Sequence, residues 1–198
     1  MSTAVLEMPT PTPTRTASTP VGLDRIVLTG FMGSGKTTVG ALLAEQLGWR
    51  FLDLDQEIER REGRSVPQIF AEKGEQHFRH LETSALASVL GQRRVIIALG
   101  GGVPEELGNR LLLEQTPRTA VVYLAAEFAT LVERCRKQGL ERPVLADEAA
   151  AAERFARRKP HYERISGHKI EGETPEESMR AVLAKLSPAA HGGKTERR

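Results

Sequence analysis

One cysteine, Cys135, stands in 198 residues. It has no partner for an internal disulfide and no metal-ligating companion nearby, so its isolation points to a reducing compartment, the cytoplasm. Charge bias is missing too. Lys and Arg number 28 against 26 Asp and Glu, leaving a net charge of +2. That balance removes the global case for nucleic acid or an anionic membrane as partner, and arginine clusters must be judged locally. No apolar run nears the length of a membrane span, and the first residues lack the apolar stretch of a secretory signal. What remains is a chain with 39% hydrophobic and 27% charged residues. Its length suits one domain whose core needs no disulfides.

The two ends differ from the body. Residues 1–21 include Met8-Pro9-Thr10-Pro11-Thr12-Pro13-Thr14, rich in Pro and Thr and poor in large apolar side chains. Such a segment cannot bury enough surface to order itself and is expected to be a disordered extension. A transit peptide is disfavoured, because Arg15 is the only basic residue before Arg25 and Glu7 is acidic. Residues 188–198 read as a polar, flexible tail, which leaves 22–187 as the folded domain.

The most specific local signal is Gly30-Phe31-Met32-Gly33-Ser34-Gly35-Lys36-Thr37, which fits G-x-x-x-x-G-K-[ST] at every fixed position. Arg25–Thr29 before it is short, apolar and β-branched, as a buried strand is. Residues 38–47 after it carry apolar side chains at helical spacing and stop at Gly48. Strand, glycine-rich turn and helix together form a phosphate-binding loop. Its glycines let backbone N–H groups converge on phosphate oxygens, and the helix N-terminus adds its dipole. Gly33, Ser34, Gly35, Lys36, Thr37 and Thr38 are therefore the expected ATP contacts. Lys36 reaches the β- and γ-phosphates, and the Thr37 hydroxyl ligates Mg²⁺.

Further along, strand-like and helix-like segments alternate. Strands are expected at Trp49–Leu52, Arg94–Leu99, Thr119–Leu124 and His168–Ile170. Helices are expected near 56–61, 66–74, 78–90, 104–114, 127–137, 147–162 and 175–186. This alternation predicts a three-layer α/β/α fold around a five-stranded parallel sheet. Ligands then gather at the carboxyl ends of the strands. The strand 94–99 ends in Gly100-Gly101-Gly102 and offers no acid for the metal. Asp53 and Asp55, after the second strand, are the strand-end carboxylates available. Two residues apart in extended chain, they point to the same side, one towards a metal and one towards an acceptor hydroxyl. Solvated loop acids remain the plainer reading of that pair taken alone.

Six segments, taken in order, resemble the successive motifs of shikimate kinases. They are Gly30–Thr37, the acids of Phe51-Leu52-Asp53-Leu54-Asp55, Gly74-Glu75-Gln76-His77-Phe78-Arg79, Leu99–Gly102, Arg142-Pro143 and Arg158-Lys159-Pro160-His161-Tyr162. They span about residues 24–186. The resemblance implies a fold of the P-loop kinase type with a lid, and transfer of the ATP γ-phosphate to the 3-hydroxyl of shikimate, a carboxylated polyol. It implies Asp53 as support for the Mg²⁺ shell, acting through water, and Asp55 as the residue that bonds the acceptor hydroxyl and serves as base. Arg79 and Arg158 correspond to the pair that grips the carboxylate, Gly101 to a backbone contact with Gly102 beside it. Arg142 corresponds to the arginine of a lid at about 138–147 that approaches the phosphates.

Within that lid Val144 stands where the family usually has leucine, and Arg134 to Arg142 is one residue longer than the family spacing. Arg134 and Arg136 are both candidates to cover adenine, with contacts near Glu173–Glu177. His77 and His80 read as helix-surface residues, and Trp49 and Phe51 as packing around the second strand. The expected partners are ATP and shikimate, without nucleic acid or membrane, on a monomer. A gluconate-type kinase and a nucleotide-binding regulatory protein are the alternatives. The set of Asp55, Arg79, Gly101 and Arg158 argues against the first, and the retention of Lys36, Asp55 and the arginines against the second.

Overall fold

The computed structural model describes residues 20, 22–137 and 147–187. Five parallel strands form the central sheet: β1 (Arg25–Thr29), β2 (Arg50–Asp53), β3 (Val95–Ala98), β4 (Thr119–Ala125) and β5 (His168–Glu171). Their order across the sheet is β2-β3-β1-β4-β5, all pairings being parallel. β1 and β3 are buried at every residue, as strands covered on both faces must be.

Side-chain alternation along the strands divides the core into layers. Val27, Ile97 and Val121 pack with Ile58, Phe78, Leu86 and Val89, which lie on α2 (Leu54–Glu62) and α3 (Val66–Leu90). Ile26, Leu28, Ile96 and Val122 point the other way. They meet Val39 and Leu43 of α1 (Lys36–Leu47) and Val182 of α7 (Pro175–Leu186). Trp49 joins this second layer, as expected of a residue packing at the second strand. The remaining helices are α4 (Leu107–Gln115), α5 (Phe128–Lys137) and α6 (Glu148–Ile165).

Two helical regions bear on expectation. The separate helical stretches expected over 66–74 and 78–90 are both present within α3 and meet at a kink. Gly74 alone leaves helical geometry, at φ 77°, a value that costs glycine little. The second is α6, expected to end near Tyr162. It runs through Pro160 to Ile165 and so carries Arg158 and Tyr162 one turn apart on one face. The expected lid, with Arg142, lies outside the described residues apart from Asp147, whose side chain caps α6 by accepting from Ala150 N–H.

The strand register sets the level of the site. Ala98 lies beside both Leu28 and Asp53, so the loop after β1, the acids after β2 and the glycines after β3 emerge together. β1 also sits where the strand order reverses, the position at which such sheets open a crevice.

Candidate active site

The loop after β1 is shaped by glycine backbone that other residues rarely adopt, with φ of 145° at Gly30, 76° at Gly33 and 88° at Gly35. Gly33 is constrained by space as well. A Cβ there would lie 2.6 Å from the Leu131 carbonyl oxygen and 2.8 Å from Cys135 Sγ, so α5 is the floor on which the loop rests. Cys135 is fully buried against it. Gly35 caps α1 without a side-chain acceptor, and the first turn of α1 carries no acid. The N–H groups of that turn are thereby left to an anion. Lys36 Nζ donates to the Gly30 and Phe31 carbonyls at 2.9 and 3.0 Å.

Asp53 ends β2 and also caps α2. Its Oδ1 accepts from the Asp55 N–H at 3.1 Å, while Oδ2 accepts from Thr37 Oγ1 at 2.9 Å. The residues expected at the metal are therefore in direct contact. Their donor set, one hydroxyl and one carboxylate, fits Mg²⁺, which takes few protein oxygens and keeps waters and phosphates for the rest. Among the described residues no cluster of three or more His, Cys, Asp or Glu could hold a metal by itself.

Lys36, Thr37, Asp53, Asp55, Gly101 and Arg158 line a single cavity of about 170 Å³. Gly33, Gly35 and Thr38 line it as well, while Ser34 is buried behind them. Every expected contact from Gly33 to Thr38 thus belongs to the loop or its backing. The far wall is Arg158, whose Nη1 comes within 3.5 Å of where a Cβ on Gly101 would sit. Tyr162, one turn on, donates its hydroxyl to the Gly101 carbonyl at 2.7 Å and so fixes that peptide.

Arg79 and Gly102 stand next to this cavity rather than in its wall. The Arg79 guanidinium lies against Gly102 so closely that a Cβ there would run into it. Nη1 of Arg79 donates to Glu82 at 2.6 Å and Nη2 to Glu75 at 2.7 Å. Burial works against its charge, but these two carboxylates outweigh it and hold the guanidinium protonated above its ordinary value. Glu82 is 1% exposed, and burial pushes its carboxyl up to about 7. Arg79 opposes that rise and the nearby Asp55 adds to it. A Cβ on Gly100 would meet both Asp55 Oδ1, at 2.5 Å, and Glu82 Oε1, at 2.9 Å. The lack of a side chain at Gly100 therefore lets the carboxyl groups of Asp55 and Glu82 both approach this backbone.

Three side chains here escaped the sequence reading. Glu82 could have been found from its position one turn after Arg79, and Tyr162 from its position one turn after Arg158. Glu105, which pairs with Arg158, carries no sequence signal. The structure also separates the two adenine candidates. Arg134 donates to the Gly172 and Glu173 carbonyls at 3.0 and 2.9 Å. With Ala125, Ala126 and Thr130 it lines a cavity of about 350 Å³ at the end of β4. Arg136 instead pairs with Glu148 at the surface.

Comparison with known proteins agrees with this geometry. The shikimate kinase family model matches residues 32–187. The shikimate kinase of Persephonella marina is 40% identical over 169 residues, covering 83% of this chain and 99% of its own length. Among solved structures, a shikimate kinase from Acinetobacter baumannii in complex with shikimate superposes with a TM-score of 0.73 at 35% identity. It covers 83% of this chain and 90% of that one. The Aquifex aeolicus shikimate kinase gives 0.72 at 36% identity, covering 85% and 99%.

Proposed function

This chain belongs to the shikimate kinase family and phosphorylates shikimate with ATP in aromatic amino acid biosynthesis, and we propose that it does so with the residues gathered at the carboxyl edge of its sheet. The observation that carries this assignment is the one cavity shared by the P-loop, Asp53, Asp55, Gly101 and Arg158. Phosphate donor and hydroxyl acceptor need a common chamber, and this is one.

The triphosphate lies along the N–H groups of Gly33–Thr38, with Lys36 moving from loop carbonyls to the β- and γ-phosphates. Thr37 and Asp53 would hold Mg²⁺, which would neutralise phosphate charge when bound. Arg158 and Arg79 take the carboxylate of shikimate, a task for which the planar guanidinium fork is suited. Gly101 contributes backbone, with its peptide held by Tyr162. Asp55 then faces the 3-hydroxyl, orients it and accepts its proton as the oxygen attacks the γ-phosphorus and ADP leaves. Arg142, which lies outside the described residues, would offset charge on the transferring group, as the family resemblance implies. Adenine occupies the cavity beside Arg134 and Gly172.

The catalytic unit is residues 22–187, working as a cytoplasmic monomer. Among the described residues no helix is long and apolar enough to cross a membrane.

Arg158→Ala tests the acceptor side. Losing one charge-assisted carboxylate contact should raise KM for shikimate by about ten- to a hundredfold while KM for ATP stays within about twofold. An unchanged KM for shikimate removes Arg158 from the binding site.

A further inference from the structure

Glu105 has no part in the phosphoryl transfer described above, yet it is bonded to the arginine that transfer depends on. It ends a short 3₁₀ turn, Val103–Glu105, that follows directly on the triple glycine. One carboxylate oxygen accepts from Arg158 Nε at 2.7 Å and the other from Arg157 Nε at 2.9 Å. The two arginines are not equivalent. The Arg157 side chain is 65% exposed and that of Arg158 11%, with Glu105 at 19%. An ion pair in the open is worth little, whereas one shielded from water fixes geometry. Burial would push the Glu105 carboxyl up, but Arg158 first and Arg157 after it hold it below the usual carboxylate range. It therefore stays ionised at neutral pH.

The edge of the guanidinium that Glu105 occupies matters. Nε carries a single N–H, while Nη1 and Nη2 carry the fork that can take a second carboxylate. With Nε tied back to the turn, Nη1 is aimed at Gly101, where the peptide fixed by Tyr162 also stands. The same turn thus supplies the backbone contact and the anchor of the side chain that faces it. Arginine has several rotatable bonds, and an unanchored one loses that freedom only when ligand arrives.

We propose that Glu105 is a positioning residue for acceptor recognition, which holds Arg158 by its Nε so that the terminal fork meets the carboxylate of the substrate. This rests on the reading that Arg158 binds that carboxylate. Glu105 does not touch the substrate and takes no proton in the reaction.

Steady-state kinetics of the full chain test it. Glu105→Ala should raise KM for shikimate about tenfold, with kcat within about threefold and KM for ATP unchanged. Glu105→Gln, which keeps shape and an acceptor oxygen, should give a smaller rise of about threefold and serves as the folded variant should alanine unfold the turn. Arg157→Ala should change KM by less than about twofold. In an Arg158→Ala background, Glu105→Ala should add nothing further to KM. A purely structural role would leave one ratio untouched: kcat/KM for shikimate over that for its carboxamide, which should fall in Glu105→Ala. An unchanged or lowered KM for shikimate in a folded variant overturns the proposal, as does an undiminished effect in the Arg158→Ala background. If Arg158→Ala alone leaves KM for shikimate unaltered, the carboxylate assignment itself is wrong and Glu105 loses its role with it.

Discussion

The proposed donor and acceptor halves of this site are built on opposite plans. The donor half is one stretch of chain, Gly30–Thr38, in which backbone does the binding and glycine geometry does the shaping. The acceptor half is assembled from α2, α3, the turn after β3 and α6, and side chains do the binding. Each of its arginines is also held by acids of the same protein, Arg79 by Glu75 and Glu82, Arg158 by Glu105. Phosphate carries enough charge to be caught by aligned N–H groups and one lysine. A single carboxylate on a polyol carries less, so its recognition depends on guanidinium groups set in advance at fixed angles. The lesson is that a strong ligand charge tolerates a local site, while a weak one calls for a scaffolded site.

Three perturbations probe that contrast, beginning with the one of largest effect. Asp55 belongs to the acceptor half although it is two residues from Asp53. Asp55→Asn should cut kcat by about a hundred- to ten-thousandfold, the range of a lost general base, with ATP affinity nearly intact. Wild-type turnover would remove Asp55 from the chemistry, and a matching loss of ATP binding would erase the division between halves. Next is Gly102→Ala, whose Cβ would meet the Arg79 guanidinium. Displacing that group should raise KM for shikimate about tenfold and leave KM for ATP within about twofold; equal effects on both substrates would mean the halves move as one.

The smallest effect is on stability. The Glu82 carboxyl rises from 4.5 to about 7 on folding. Between those values the folded protein retains a proton that the unfolded chain releases. The contribution of Glu82 to stability is therefore complete below about 4.5 and is lost as pH rises through 7. Glu82→Gln cannot titrate, so its melting temperature relative to wild type should improve by a few degrees between pH 5 and pH 8. A difference that stays constant across that range would show that Glu82 does not titrate there.

The same contrast explains what was legible in the sequence. The P-loop and its flanking strand and helix could be read because their signal is contiguous, Gly30–Thr37 between an apolar strand and a helical repeat, although the loop itself rests on distant Leu131 and Cys135. The alternation of strands and helices pointed to the parallel sheet because helical crossovers impose it, and the break at Gly74 was legible because a glycine at positive φ interrupts helical geometry. Arg79 and Arg158 emerged only through resemblance to a family. As single arginines on helices they look like surface residues. Glu105 stayed invisible, because it meets Arg158 across 53 positions of chain and no periodicity links a 3₁₀ turn to a distant helix. Arg134 and Arg136 could not be told apart for a related reason. Which of the two faces the β4 edge depends on how α5 is rotated, and that is decided by Leu131 and Cys135 seating under the loop.

The Lys36 ammonium spans the loop it serves, bonded to the carbonyls of Gly30 and Phe31. A cation anchored inside an anion-binding loop is thus ordered by the loop's own backbone. Under the proposed function, phosphate oxygens take the place of those carbonyls around a side chain that is already ordered. Little of the roughly 0.5–1.5 kcal/mol that immobilising a mobile lysine would cost then falls on the binding step. On that proposal the lysine works in turn as strut and as clamp, and a substitution there removes the support of the loop along with its grip on ATP.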